Sequence, residues 1–146
     1  MTHPMMALAD SLTAPWWSHL ERAEFAMPRC TDCGRWHFHP QPRCPHCGGA
    51  SVVWQQASGR GALYSYTLVH RAPSPAFAAD VPYTIGIVAT EEGPHLMTRL
   101  IGIAPDAVRV GLAVRVRIQP MIAEGPPLVL FEPDPDRASD SARTID

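Results

Sequence analysis

The chain holds four cysteines, arranged as two C-x-x-C pairs, Cys30/Cys33 and Cys44/Cys47. Ten residues separate the pairs, and each pair runs on into a glycine, Gly34 or Gly48. A C-x-x-C turn presents two thiolates to one ion, so two such turns supply the four sulfurs of a tetrahedral zinc site. The glycines relax the backbone beside the coordinating sulfur. Four thiolates close the coordination shell to water and substrate, so the role expected of a single Zn2+ is structural. His37, His39 and His46 lie near enough in sequence to replace a cysteine; with four thiolates available they are read as surface or packing residues. The competing chemistry, disulfide pairing, requires an oxidising compartment and normally a secretion signal. Met1–Asp10 has no basic start and no sustained apolar run, so metal-bound thiolates in a reducing cytoplasm are expected.

Little else in the chain offers catalytic chemistry. Nucleophilic catalysis needs a nucleophile with a base and an orienting group nearby. The cysteines are committed to metal, all 12 basic residues are arginine, and lysine is absent. There is no G-x-S-x-G turn and no H-E-x-x-H helix. His70 and His95 fall on or beside expected strands with no evident carboxylate partner in sequence. The absence of lysine in an alanine-rich chain fits a GC-rich coding sequence, although arginine also suits bidentate contacts.

Those residues must be positioned by about one domain, or two very small ones, since the chain has 146 residues. A 46% hydrophobic share is ordinary for a soluble protein. The net charge of -2 gives no general attraction to nucleic acid or to an anionic membrane. No stretch approaches the ~18–20 apolar residues of a membrane span. Sixteen prolines point to many turns and few long helices.

Residues 1–12 read as a disordered start. A helix is expected over 13–25, with Thr13 as N-cap, Pro15 in the first turn, and Trp16, Leu20 and Ala23 on one face. One short face cannot bury both Trp16 and Trp17, so either the helix is stapled to the metal module or a tryptophan meets a partner. Residues 26–50 form the zinc module, in which Arg35–His39 alternates so that Trp36 and Phe38 share a strand face. Residues 51–132 read as strands. Leu63–His70 would place Tyr64, Tyr66 and Leu68 on one face. Tyr83–Thr90 would place Tyr83, Ile85 and Ile87 on one side, with Gly86 marking a bulge or bend. His95–Ile101 returns through Glu92-Gly93-Pro94, Leu112 to Ile118 alternates cleanly, and Leu128–Phe131 is a fifth strand. Residues 133–146 read as a disordered tail. Five strands are the complement of an OB-fold, although the count alone does not separate it from an SH3-like barrel.

The order of these parts resembles the zinc-ribbon/OB-fold family of acyl-CoA-associated accessory proteins. The resemblance is carried by C-T-D-C-G…P-R-C-P-H-C-G, by S-G-R-G-A-L-Y-S-Y-T-L-V-H-R, and by V-P-Y-T-I-G-I-V, E-E-G-P-H-L-M-T-R-L and V-G-L-A-V-R-V. It spans about residues 15–132. It implies a mainly β architecture: an N-terminal helix, a rubredoxin-like zinc ribbon and a five-stranded OB-fold barrel. It also implies a non-catalytic accessory subunit that supports a thiolase-superfamily enzyme acting on acyl or acyl-CoA substrates, with zinc on Cys30, Cys33, Cys44 and Cys47. A coenzyme A moiety is placed at the shared interface, and no membrane partner is expected. Trp16, Trp17, Arg71, Phe77, Arg115 and Arg117 are the residues expected near the partner or the acyl-CoA. Arg115 and Arg117 also read as a solvated strand face, and the loop Arg71–Val81 also reads as a flexible surface loop. The alternative function is single-stranded nucleic-acid binding, with Tyr64 and Tyr66 stacking on bases and Arg115 and Arg117 meeting phosphates.

Overall fold

A computed structural model describes residues 10–137. Among these the protein is mainly β, with one α-helix and seven strands. Two compact units are present. Residues up to Ser58, together with Glu92–Pro94 and Ile118–Val129, form the first; Gly59–Glu91, His95–Arg117 and the chain from Leu130 form the second. No helix is long and apolar enough to cross a membrane.

In the first unit, α1 (Ala14–Glu21) begins with Pro15 in its first turn, where a missing N–H costs nothing. Thr13 occupies the N-cap position, but its hydroxyl donates to Asp10 Oδ1 (2.9 Å) and does not cap the helix. The helix ends four residues before the expected boundary at 25. Ala23 takes a left-handed conformation, φ 56°. The Ala23 N–H donates to the Leu20 carbonyl and the Glu24 N–H to the His19 carbonyl. That pair of bonds is a Schellman stop, usually built on glycine. Ala23 is therefore exposed and does not continue the Trp16–Leu20 face. The apolar residues Leu20, Phe25, Ala26 and Met27 are buried. Strands β1 (Ala26–Cys30) and β2 (Val52–Gln56) pair antiparallel, with Cys30 opposite Val52.

The second unit contributes most of a closed barrel built from β3 (Arg60–Val69), β4 (Tyr83–Thr90), β5 (His95–Leu100), β6 (Ala113–Gln119) and β7 (Leu128–Pro133). The strand order is β3-β4-β5-β7-β6, and β6 pairs back onto β3. This is the OB-fold closure. Leu63, Val88, Leu96, Leu100, Val114, Leu130 and Phe131 form its core.

One strand face differs from expectation, that of β3. A bulge lies in β3 between Leu63 and Ser65, not at Gly86. One extra residue shifts the side-chain phase. Tyr66 and Leu68 thus register with Gly86 and Thr84, while Tyr64 leaves that set and packs on His95, ring centroids 4.8 Å apart. In β4, Tyr83, Ile85 and Ile87 share one side as expected and are half-buried, while Thr84, Gly86, Val88 and Thr90 form the buried side. Gly86 sits in regular pairing because Leu63 occupies the space beside it: a Cβ there would lie 2.6 Å from Leu63 Cδ1. At the C-terminal side, β7 runs to Pro133 and a short 3-10 turn, Pro135–Arg137, follows it, so 133–137 are structured. Residues 10–12, expected to be disordered, are also placed, in a turn where the Leu12 and Thr13 N–H groups donate to Asp10 Oδ1. The rest of the expected disordered segments, 1–9 and 138–146, lies outside the described residues.

Candidate metal centre

Two loops of the same geometry build the site. In the first, the Gly34 N–H donates to the Cys30 carbonyl and the Cys30 N–H to the Arg35 carbonyl, both at 2.9 Å. In the second, the Gly48 N–H donates to the Cys44 carbonyl and the Cys44 N–H to the Gly49 carbonyl, again at 2.9 Å. Gly34 and Gly48 share φ 76°, a conformation that glycine adopts without Cβ strain. The first loop hangs from the end of β1. It is tied to the start of β2 by the Thr31 N–H and hydroxyl, both donating to the Ser51 carbonyl at 2.8 and 3.1 Å.

The four sulfurs lie within 4.8 Å of one another. Cys30 and Cys47 Sγ are 3.7 Å apart, as are Cys33 and Cys44 Sγ. No sulfur pair is bonded, and the cysteines are free. Four sulfurs on a tetrahedron at the usual Zn–S length of about 2.3 Å would stand roughly 3.8 Å apart, so the separation suits zinc. Cys30 and Cys44 are buried, and Cys33 and Cys47 are exposed. The His46 N–H donates to Cys44 Sγ and the Gly49 N–H to Cys47 Sγ, each at 3.4 Å. These bonds spread the negative charge that four thiolates bring to one ion.

Without metal, the cluster cannot hold four like charges. Burial opposes ionisation of Cys44, but N–H donors from Cys47 and His46 and the sulfurs of Cys33 and Cys30 outweigh it, drawing its thiol down to about 6. The Gly49 N–H favours the Cys47 thiolate, yet the neighbouring sulfurs, Cys30 first, push that thiol up to about 12. One structural zinc resolves the conflict by holding all four as thiolates. The three nearby histidines are not among the four clustered ligands. His37 is buried, its pKa lowered by burial and then by the charge of His46. His46 is exposed, its Nε2 3.2 Å from the Trp36 carbonyl, and His39 is exposed beside Phe38.

The helix is clasped to this module through Trp16. Its ring meets Phe38 at 5.2 Å, Phe25 at 6.2 Å and Trp54 at 6.5 Å, and His19 stacks on Trp54 at 6.2 Å. Phe38 reaches Trp16 without the expected strand: Arg35–His39 contributes a single bridge, Trp36 to Arg29, and buries His37. Trp17 takes no part in that ring cluster and is half-buried.

The remaining residues singled out from sequence lie in the second unit. Arg115 Nε is 3.0 Å and Arg117 Nη1 3.8 Å from Glu132 Oε1. Glu132 lies on β7, so sequence spacing gave no hint of the pairing. In the loop after β3, Phe77 packs on Tyr83 at 6.1 Å, Arg99 lies 4.5 Å over the Tyr83 ring, and Asp80 bonds Arg99 at 3.0 Å. The loop is thereby tied to β4 and β5. Arg71, at its start, is exposed. His70 and His95 have no hydrogen bond or ion pair to a carboxylate among the described residues.

The sequence matches two family models in tandem: "ChsH2, rubredoxin-like zinc ribbon domain" over residues 17–53 and "ChsH2, C-terminal OB-fold domain" over residues 54–119. Over 99 residues, 68% of this chain, it is 37% identical to a "Probable enoyl-CoA hydratase alpha subunit" of Thermomonospora curvata. It covers 30% of that protein, so the chain spans about three tenths of that relative. A "DUF35 domain-containing scaffold protein" of Methanocaldococcus jannaschii is 32% identical over 109 residues, 73% of this chain and 77% of that one. Among solved structures, "Ltp2-ChsH2(DUF35) aldolase" superposes with a TM-score of 0.78 at 33% identity, covering 88% of this chain and 98% of the matched chain. With both domains matched in order and the four zinc ligands in place, the chain belongs to the DUF35 family of ChsH2-type zinc-ribbon/OB-fold proteins.

Proposed function

We propose that the chain is a non-catalytic subunit that binds and supports an enzyme acting on acyl-CoA substrates, in reactions that make or break a carbon–carbon bond or transfer an acyl group. The observation that carries this reading is its likeness, across 98% of the matched chain, to a DUF35 protein solved as part of an aldolase. The residues agree with it: the thiolates belong to the metal centre, and neither His70, just past β3, nor His95, on β5, has a carboxylate to orient it among the described residues. The partner we propose is a thiolase-superfamily enzyme, with its coenzyme A moiety near the shared interface. Trp17 and Arg71 are the residues proposed to meet it, together with the Phe77 loop and the Arg115–Arg117–Glu132 cluster, which reaches it as a paired unit. Unbonded thiols at 3.7 Å favour a reducing compartment such as the cytoplasm.

Nucleic-acid binding is the weaker reading. Each phosphate contact needs a cation, and Arg115, Arg117 and Arg99 are already paired with carboxylates. Tyr64 is engaged with His95. The purified chain is expected to turn over neither enoyl-CoA hydration nor carbon–carbon cleavage of acyl-CoA esters in a coupled spectrophotometric assay. Turnover abolished by His70→Ala or His95→Ala would overturn the accessory-subunit reading.

A further inference from the structure

The first unit holds a cavity of about 570 Å³ lined by ribbon residues, including Trp36, His37 and Phe38, and by Glu92-Gly93-Pro94. Its polar lining is unusual. His37 is 4% exposed, and neither ring nitrogen has a hydrogen-bond partner. Glu92 Oε1 accepts from the Ser58 N–H at 2.5 Å, while its Oε2 is buried without a partner. A buried acceptor left unpaired forfeits a large desolvation energy, so such groups normally have an occupant.

Of the three unpartnered atoms, Glu92 Oε2 and one nitrogen of neutral His37 are acceptors, and the other His37 nitrogen is a donor that water can satisfy. The two acceptors define the occupant. An anion cannot satisfy a carboxylate, and a neutral imidazole offers one acceptor nitrogen. A group that only donates, with several N–H vectors in one plane, satisfies both at once; this is the guanidinium fork. The Trp36 ring already carries one guanidinium, that of Arg29, 5.4 Å from its centroid, and an aromatic lining of this kind favours a planar cation over a compact ammonium. Pro45 and Pro94 offer apolar surface for an alkyl stem. We propose that this cavity receives one arginine side chain of a partner protein, its guanidinium on Glu92 and His37 and its plane against the aromatic wall. The partner source rests on the subunit reading above. Arg35 lines the same cavity, and its guanidinium has no partner among the described residues. It opposes an incoming cation and sets the affinity low.

The test uses the zinc-loaded full chain and a probe that needs no partner. Nα-acetyl-arginine amide is titrated while 1H–15N spectra are recorded, with the citrulline amide as the uncharged analogue. Saturable shifts at the Trp36 indole and the His37 and Gly93 amides are expected. Binding weakens about tenfold for citrulline and for Glu92→Gln, the value of one charge-assisted hydrogen bond. Arg35→Ala, an exposed change, strengthens it. No saturable shift, as from a cavity holding ordered water only, overturns the proposal, as does equal binding of citrulline. Should Glu92→Gln perturb the fold, Arg35→Ala decides: unchanged or weaker binding is contrary. Failure here leaves the subunit reading standing, because that reading is judged by what co-purifies with the chain.

Discussion

At the scale of single residues, the cysteines decide the ribbon. A module this small buries too little apolar surface to fold by itself, and structural zinc in comparable peptides is worth on the order of 10–16 kcal/mol at neutral pH. Cys44→Ser, which removes a buried ligand, is therefore expected to lose zinc and unfold at least the ribbon. Metal analysis with near-ultraviolet circular dichroism reads this directly; a folded, metal-free variant would refute it. The same cluster dictates the response to acid. Zinc binding must draw a proton from Cys47, whose thiol is pushed up to about 12, while Cys44, at about 6, is already ionised at neutral pH. The bound state thus holds fewer protons than the free state, and affinity falls as pH drops, steepening below about 6 when Cys44 also protonates. A chromophoric zinc indicator should show release on acidification; occupancy indifferent to pH would be contrary. The ligands were legible in sequence because thiolate spacing encodes coordination directly. The burial of His37 was not, since alternation suggested a strand where only one bridge forms.

At the scale of elements, the helix and strands were legible in sequence, but the phase of β3 across its bulge was not. In β4 apolar side chains fall on both sides of the strand, so alternation does not say which side is inward. The answer lies in β3: Leu63 fills the space beside Gly86, and the adjacent bulge sends Tyr64 outward. Neither fact is local in sequence. The end of α1 was missed because its stop uses alanine where glycine is usual. That choice carries strain, since a Cβ disfavours the left-handed conformation. Ala23→Gly is expected to raise stability by about 0.5–1 kcal/mol, the relief exceeding the added entropy of an unfolded glycine. Thermal unfolding of the zinc-loaded protein checks it, and a lowered midpoint would show that the helix does not end as described. Trp16 was open between staple and partner contact; its rings against Phe25, Phe38 and Trp54 make it the staple.

At the scale of the whole molecule, the order of helix, ribbon and barrel was readable because each part has its own periodicity or spacing. What the arginines face was not, because Arg115 and Arg117 find Glu132 across the barrel seam between β6 and β7. That pairing leaves the two arginines sharing one carboxylate, with half of their charge offset, and shifts the weight from nucleic acid to protein. We propose that this chain works as a subunit of an acyl-CoA-processing enzyme. The direct measurement is to tag it, purify it at low salt from its source cells, and identify what elutes with it by mass spectrometry and absorbance ratio. A stoichiometric thiolase-superfamily enzyme is the predicted result. Elution with nucleic acid and no such enzyme, or elution alone, would contradict it.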